Sequence, residues 1–121
     1  LDIAMTTLHN LKKNKKIRLT EDAYIHSDQG AHYTSPIYQK LVKKLKLGQS
    51  MSRRGNCWDN APQESFFGHF KDEAHIKTCT SFAQLKQEIK NYIKYYNQHR
   101  YQWNLKKMTP VEYRNHLLAA A

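Results

Sequence analysis

The apolar positions of this chain follow helical spacing over three long stretches and a strand-like pattern over two short ones. Apolar residues three and four positions apart predict amphipathic helices over residues 1–14, 36–46 and 82–96. The runs at residues 21–26 and 49–52 predict two strands on either side of the second helix. A strand–helix–strand order predicts that the strands pair in parallel through a right-handed crossover.

Polar residues at defined positions predict where the helices begin. Helix starts are expected at Ser35-Pro36 and at the two capping boxes Ser81–Gln84 and Thr109–Glu112. A further helix follows residues 51–60, and Asp59 or Asn60 is predicted to cap it. Its first turn contains Pro62, which needs no N–H partner there, and Glu64, which benefits from the helix dipole.

The helix over residues 82–96 is predicted to bury one apolar face, formed by Phe82, Leu85, Ile89, Ile93 and Tyr96. Further aromatic residues surround its end. These side chains form either part of a core or a platform for nucleic acid, and the core is the more common outcome for such a stripe. They are Tyr92, Tyr95, Tyr101 and Trp103.

Charge narrows the class of partner. The 121 residues are long enough for one domain or part of one, and 20 Lys and Arg against 10 Asp and Glu give a net charge of +10. Such a balance suits a polyanion, although a soluble protein can also simply be basic. Two cysteines are too few for a disulfide scaffold, and no metal-ligand pairing of Cys and His appears. No apolar run is long enough to span a bilayer, so no membrane partner is expected. The expected compartment is the cytoplasm or the nucleoid.

Two carboxylates have positions that suit metal chemistry. Asp28 follows a buried strand, at the end where open α/β sheets place their ligands, and Glu64 lies at a helix start. Carboxylates brought together in this way could hold the two divalent ions that stabilise attacking and leaving oxygens in phosphodiester chemistry. For the Glu64 stretch by itself, a well-capped helix with solvated charges is the simpler explanation.

The two motifs taken together resemble the catalytic core of DDE transposases and retroviral-type integrases, above all the integrase-core transposases of bacterial insertion sequences. Between Asp28 and Glu64 lie 35 residues. The likeness covers nearly the whole chain. It is carried by His26-Ser27-Asp28-Gln29-Gly30 with Tyr33, Ser50-Met51-Ser52 with Gly55-Asn56, Asp59-Asn60-Ala61 with Glu64-Ser65-Phe66-Phe67, Lys71, Tyr96-Asn97 with Arg100, and Thr109-Pro110.

The resemblance implies a fold and a set of roles. Asp28 and Glu64 correspond to two members of an Asp-Asp-Glu triad that binds Mg²⁺ or Mn²⁺, and Lys71 corresponds to a basic residue near the scissile phosphate. The first aspartate of the triad has no counterpart here, so the first strands are expected to be missing. The expected class is α/β, a partial RNase H-like (integrase core) fold over residues 1–76 with a helical C-terminal extension over residues 77–121.

Contacts with DNA are expected from the polar loop. Arg53 and Arg54 are the best candidates for phosphate contacts, which give affinity and salt dependence rather than sequence choice. Gln29, Asn56 and Asn60 could contact DNA or orient the carboxylates, and they could equally be turn and cap residues. The implied partners are transposon ends, target DNA and further copies of the protein.

Two functional hypotheses remain open at this point. The full protein is either an enzyme that cleaves and transfers DNA strands, or a noncatalytic basic module for DNA binding or assembly. An aspartate-bearing strand encoded upstream would favour the enzyme, whereas a natural start codon near Leu1 would favour the module. Without a first strand, Tyr24-Ile25 would expose an unpaired edge, so self-association or marginal solubility is expected. Residues 1–121 alone are expected not to cleave DNA.

Overall fold

A computed structural model describes all 121 residues as six helices and one two-stranded sheet, divided into two compact units. The units are Leu1–Glu64 and Ser65–Ala121, and the boundary falls within the fourth helix. None of the helices combines the length and the apolar character needed to cross a bilayer. In chain order the elements are α1 (Asp2–Lys13), β1 (Tyr24–Ser27), α2 (Ala31–Thr34), α3 (Pro36–Lys44), β2 (Gly48–Met51), α4 (Ala61–Glu73), α5 (Phe82–Gln98) and α6 (Pro110–Ala119).

The sheet of the first unit pairs β1 and β2 in parallel, which confirms the predicted strand pairing. Tyr24 lies opposite Gly48, and its ring crosses the place that a Cβ on Gly48 would need. The first strand begins later than predicted, because residues 20–23 form a turn closed by a 3.2 Å bond from the Ala23 N–H to the Thr20 carbonyl. Beyond β2, the Ser52 N–H still donates to the Ser27 carbonyl at 2.8 Å.

The core of the first unit lies between α1 and α3. Leu8 from α1 packs with Tyr38, Leu41 and Val42 from α3 and with Leu47, which precedes β2. Tyr38 thus lies on the buried face of α3, whereas its neighbour Ile37 is 57% exposed. The predicted start of α3 is confirmed, because the Ser35 hydroxyl caps the helix by accepting a hydrogen bond from the Tyr38 N–H at 3.2 Å.

The second unit has an aromatic core. Tyr92 of α5 is only 5% exposed, and its ring lies 5.2 Å from Phe70 and 6.2 Å from Phe66 of α4. The Tyr92 hydroxyl donates to Glu73 at 2.9 Å, and Arg100 donates to both oxygens of the same carboxylate. Hydrogen bonds from Arg100 lower the pKa of Glu73, and burial raises the pKa of Tyr92. A polar pair therefore closes one end of this core.

The buried face of α5 differs from the predicted one. Phe82 is 80% exposed and Ile93 43%, whereas Tyr92 is the buried residue of the helix. The stripe is rotated because Tyr92 satisfies both of its parts here, with its ring against phenylalanines and its hydroxyl on Glu73. The prediction that Phe82 and Ile93 lie on the buried face of α5 was wrong.

The two predicted capping boxes form to different extents. At α6 the box is complete, because the Glu112 N–H donates to the Thr109 hydroxyl at 3.2 Å and Glu112 accepts from the Thr109 N–H at 2.8 Å. At α5 the Ser81 hydroxyl accepts from the Gln84 N–H, but the Gln84 side chain accepts from Thr80 instead of Ser81. Only half of that box is present.

We predict that Thr109→Ala destabilises the second unit by about 1 kcal/mol, because it removes the acceptor of the α6 cap. Thr109 is 1% exposed, so no water replaces the lost hydroxyl without rearrangement. The measurement is urea unfolding followed by circular dichroism. Thr109→Ser keeps the hydroxyl and is the control. Equal midpoints for Thr109→Ala and the unsubstituted chain would contradict the prediction.

Candidate active site at the ends of the parallel strands

The turn after β1 fixes the first of the two candidate carboxylates. Asp28 follows the last residue of β1, and its Oδ1 accepts a hydrogen bond from the Gly30 N–H at 2.9 Å. A Cβ on Gly30 would lie 2.9 Å from the same oxygen, closer than side chains normally approach. The turn thus holds one oxygen of Asp28 against the backbone and leaves Oδ2 free. The Asp28 side chain forms no ion pair.

His26 joins β1 both to β2 and to the loop that follows β2. Its Nδ1 lies 3.0 Å from the Ser50 hydroxyl, directly across the ladder. Its Nε2 lies 3.1 Å from the carbonyl oxygen of Asp59. A carbonyl oxygen only accepts, so Nε2 must carry a proton and donate it to Asp59. Two residues before Asp28, the ring therefore fastens the loop that leads into α4.

Asp59 is held a second time through its carboxylate. Arg53 donates to it from the backbone N–H at 2.8 Å, from Nε at 3.0 Å and from a terminal nitrogen at 2.9 Å. These hydrogen bonds lower the pKa of Asp59 to about 2. Asp59 therefore closes the loop between β2 and α4 instead of capping α4, and the prediction that it caps this helix was wrong.

The remaining polar residues of the loop have separate roles. Gln29 donates from its amide to the Ser52 carbonyl at 3.1 Å, which links the turn after β1 to the segment after β2. Asn56 accepts from the Trp58 N–H at 3.2 Å and begins a short 3₁₀ turn over Cys57–Asn60. Arg54 is exposed and forms no ion pair, in contrast to Arg53. Arg54 is thus the exposed cation of this loop that has no carboxylate partner.

Glu64 lies in the first turn of α4. The 3₁₀ turn over Cys57–Asn60 runs directly into this helix, so neither Asp59 nor Asn60 acts as a separate cap. The Glu64 side chain is exposed and has no hydrogen-bond or ion-pair partner. On the same helix, Lys71 is exposed and belongs to the second unit. The separation of the Asp28 and Glu64 carboxylates stays a prediction.

The donor chemistry of these residues fits a hard divalent cation. Mg²⁺ prefers oxygen ligands, typically a small number of carboxylates completed by water and phosphate oxygens. Asp28 offers a free oxygen and Glu64 a free carboxylate. No group of three or more His, Cys, Asp or Glu side chains in residues 1–121 is arranged to hold a metal ion. Asp28 and Glu64 are therefore candidate ligands that belong to no larger cluster of such side chains.

Several contacts of this site were not predicted from the sequence, although the residues that form them were named there. The hydroxyls of Ser50 and Ser52 lie beside the His26 ring, and Ser52 is one of few buried polar residues. Their contacts join residues more than twenty positions apart, so local spacing carries no signal for them. The Arg53–Asp59 pair spans six positions across a loop, and a loop has no fixed period from which to infer facing side chains.

Comparison with known proteins finds similarity to an integrase-core family and to insertion-sequence transposases. A family profile described as "Integrase core domain" matches residues 64–118. The InsK protein of insertion sequence element IS150 in Escherichia coli (strain K12) is 44% identical over 102 residues, covering 84% of this chain and 36% of that protein. A transposase-like protein of Haemophilus influenzae is 45% identical over 95 residues, covering 78% of this chain and 44% of that protein.

A third relative is the transposase of insertion sequence element IS904 from Lactococcus lactis, which is 40% identical over 94 residues. The match covers 74% of this chain and 36% of that protein. The chain thus spans between about a third and less than half of the length of these relatives.

We predict that the Asp59 carboxyl titrates near pH 2 and that Arg53→Ala moves its midpoint toward the ordinary value of 3.8. The lowered pKa means that the link stabilises the folded loop above the unfolded pKa, and that this contribution is lost as the pH falls through about 2. Carboxyl-carbon NMR measures the midpoint. Arg54→Ala removes a neighbouring charge that does not contact Asp59, so it is the matched control and should leave the midpoint near 2. Equal midpoints in the two variants would contradict the assignment.

Proposed function

We propose that this chain belongs to the integrase-core transposases of bacterial insertion sequences, to which it is similar over most of its length, and that the full protein cleaves and transfers DNA strands during transposition. Asp28 and Glu64 are proposed as two of its metal-binding carboxylates. Residues 1–76 are proposed to form part of a catalytic core of RNase H-like fold, and residues 77–121 a helical extension. No residue of this chain is proposed as the third carboxylate of the triad.

The observation that carries this proposal is the fastening of the Glu64 loop to the strand that precedes Asp28. Parallel strands bring their carboxyl ends to one edge of a sheet, where α/β proteins bind ligands. At that edge His26 bonds the Asp59 carbonyl, two residues before α4 begins. Glu64 then lies within the first helical turn, so the chain cannot carry it far from the strand ends.

Each carboxylate is prepared in a different way. Gly30 holds one oxygen of Asp28, so that residue presents a single directed oxygen to solvent. Glu64 carries no partner and lies where the positive end of the helix dipole favours a negative charge. Divalent ions held by such groups stabilise the attacking and leaving oxygens at the phosphorus. The attacking group is water or a DNA 3′-hydroxyl, so neither carboxylate acts as a nucleophile.

Charge supports DNA as the partner. The net charge of +10 favours association with a polyanion. The proposed location of the protein is therefore close to the nucleoid. Within the loop, Arg54 is proposed to contact a backbone phosphate, whereas Arg53 already donates two guanidinium N–H groups to Asp59. Lys71, Gln29, Asn56 and Asn60 are proposed as further DNA contacts, and the active form is proposed to contain more than one copy of the chain.

We predict that Asp28→Asn and Glu64→Gln each reduce strand cleavage by at least about a hundredfold, because each removes a charged metal ligand. The assay uses the chain extended by its preceding coding sequence, labelled transposon-end DNA, and Mg²⁺ or Mn²⁺. Glu21→Gln changes an exposed carboxylate in the turn before β1 and is the control. Residues 1–121 alone should be inactive.

Full cleavage by the Glu64→Gln variant would remove Glu64 from the site. Strong metal-dependent cleavage by residues 1–121 alone would show that the third ligand lies within this chain. Both outcomes would be read on the same gel, with binding of the DNA measured separately to show that the substrate is engaged.

We predict that Arg54→Ala flattens the plot of log affinity against log salt by about 0.9 in slope, the value for one phosphate contact. Arg53→Ala should change the slope less, because that guanidinium already serves Asp59. Fluorescence anisotropy with duplex DNA across a salt series gives the slopes. Arg114→Ala, an exposed residue of α6, controls for the loss of one positive charge. An unchanged slope in the Arg53/Arg54 double alanine variant would exclude the loop as a DNA contact.

A further inference from the structure

A second candidate site lies in the loop between α5 and α6. An open pocket of about 400 Å³ is lined by Tyr101, Gln102, Trp103 and Lys107. This volume falls within the range of roughly 300–1,000 Å³ that small-molecule sites occupy. All four residues belong to the second unit, and none of them has a role in the proposed cleavage site.

The two aromatic rings of this pocket are exposed. Trp103 is 83% exposed and Tyr101 is 69% exposed, although large aromatic side chains normally contribute to a core or an interface. The neighbouring aromatic residue Tyr92 shows the usual outcome, since it is 5% exposed. The chain therefore keeps two flat apolar surfaces in contact with water only a few residues beyond its aromatic core.

A cation lies over one of these rings. The Lys107 ammonium is 4.6 Å from the centre of the Trp103 ring. Cation–π attraction favours this placement, and it fixes the indole in one orientation. Because Trp103 remains 83% exposed, the lysine covers only part of the ring and leaves most of its surface open.

The backbone of the loop is held in an uncommon conformation. Lys106 and Lys107 both have left-handed backbone angles, with φ of 54° and 60°. Such angles cost free energy for residues other than glycine, and they are found where a side chain must be aimed. The loop is closed by the Gln102 N–H, which donates to the Met108 carbonyl at 3.1 Å. The closure brings Lys107 back over Trp103.

We propose that Tyr101, Gln102, Trp103 and Lys107 form a binding site for an unpaired nucleotide of DNA, with the base stacked on the exposed rings and the phosphate near Lys107. Every base has a π face, so stacking on aromatic side chains accepts any sequence. Gln102 offers an amide that can donate to and accept from a base edge. Residues 99–111 contain no Asp or Glu, so no acidic side chain within this loop opposes the phosphate.

This inference rests on the proposed function, because it takes DNA as the partner. It adds a location and a preference that the cleavage site does not require. A fully paired duplex buries its base faces and offers this site nothing to stack. The expected preference is therefore for DNA that carries a single-stranded tail over DNA that is paired throughout.

The test compares two labelled DNAs at one salt concentration, a paired duplex and the same duplex with a single-stranded thymidine tail. Anisotropy gives the affinity of residues 1–121 for each. Trp103→Ala should weaken binding of the tailed DNA about tenfold, as expected for one stacked base, and should leave duplex binding unchanged. Trp103→Phe keeps an aromatic ring and should retain most of the preference. Circular dichroism confirms that each variant is folded.

Phe82→Ala is the matched control. Phe82 is an exposed aromatic residue of the same unit, at 80%, and lies outside the pocket. It should bind both DNAs as the unsubstituted chain does. A second readout uses Trp58→Phe, which leaves Trp103 as the only tryptophan, so that base stacking appears as quenching of its fluorescence by the tailed DNA.

Each alternative result has a definite meaning. Equal affinity of Trp103→Ala and the unsubstituted chain for tailed DNA would overturn the inference and leave the proposed function standing. Absence of binding to either DNA would overturn both. A lower mass for Trp103→Ala by light scattering, with no change in tail preference, would show that the exposed rings contact another copy of the chain, and would also overturn the inference.

Discussion

The candidate site in the first unit depends on the two attachments of Asp59. Its carbonyl accepts from His26 of β1, and its carboxylate accepts from Arg53, just beyond β2. One residue thus joins the strand before Asp28, the segment after β2 and the start of the Glu64 helix. Without these bonds, nothing in the sheet itself would restrain the loop, because residues 53–56 belong to no strand or helix. The candidate metal ligands are positioned by hydrogen bonds around a loop more than by packing.

The second unit uses one charged pair in a comparable way. Glu73 at the end of α4 accepts from Tyr92 and from Arg100, and Arg100 also lies 5.7 Å from the Tyr96 ring. This network fixes which face of α5 is buried. It also fixes where the chain leaves α5, since Arg100 follows the last turn of that helix. The exposed loop that contains Trp103 begins from this anchored position.

The features that could be predicted from sequence are those set by short-range spacing. Ser35 with Pro36 and Thr109 with Glu112 start their helices as expected, because a cap needs only residues three positions apart. The parallel pairing of β1 and β2 follows from element order. The resemblance to insertion-sequence transposases, which rests on motifs along nearly the whole chain, is confirmed by the integrase-core match and by the relatives.

Other features depend on contacts that a sequence does not display. Apolar spacing placed Ile93 in the buried stripe of α5 and Tyr92 among the surrounding aromatic residues, but the hydrogen bond from Tyr92 to Glu73 favours burial of Tyr92. Aspartate is a residue type that commonly caps helices, but the fold brings Arg53 to the Asp59 carboxylate instead. The exposure of Tyr101 and Trp103 likewise follows from closure of their loop. In each case a partner distant in the chain decides between two locally reasonable outcomes.

The parallel pairing of β1 and β2 also constrains how this site assembles as the protein folds. His26 and Ser50 are 24 positions apart, so their contact forms only after the intervening chain, including α2 and α3, has closed a long loop. Closing such a loop costs conformational entropy before the contact returns any energy. Helices form faster than long-range strand pairs, so α3 should acquire structure before β1 and β2 meet. The surroundings of the Asp28 carboxylate therefore form late in folding. Brief openings of the native protein should separate the two strands, and so expose this site, before the helices unfold. Amide hydrogen exchange can follow this order.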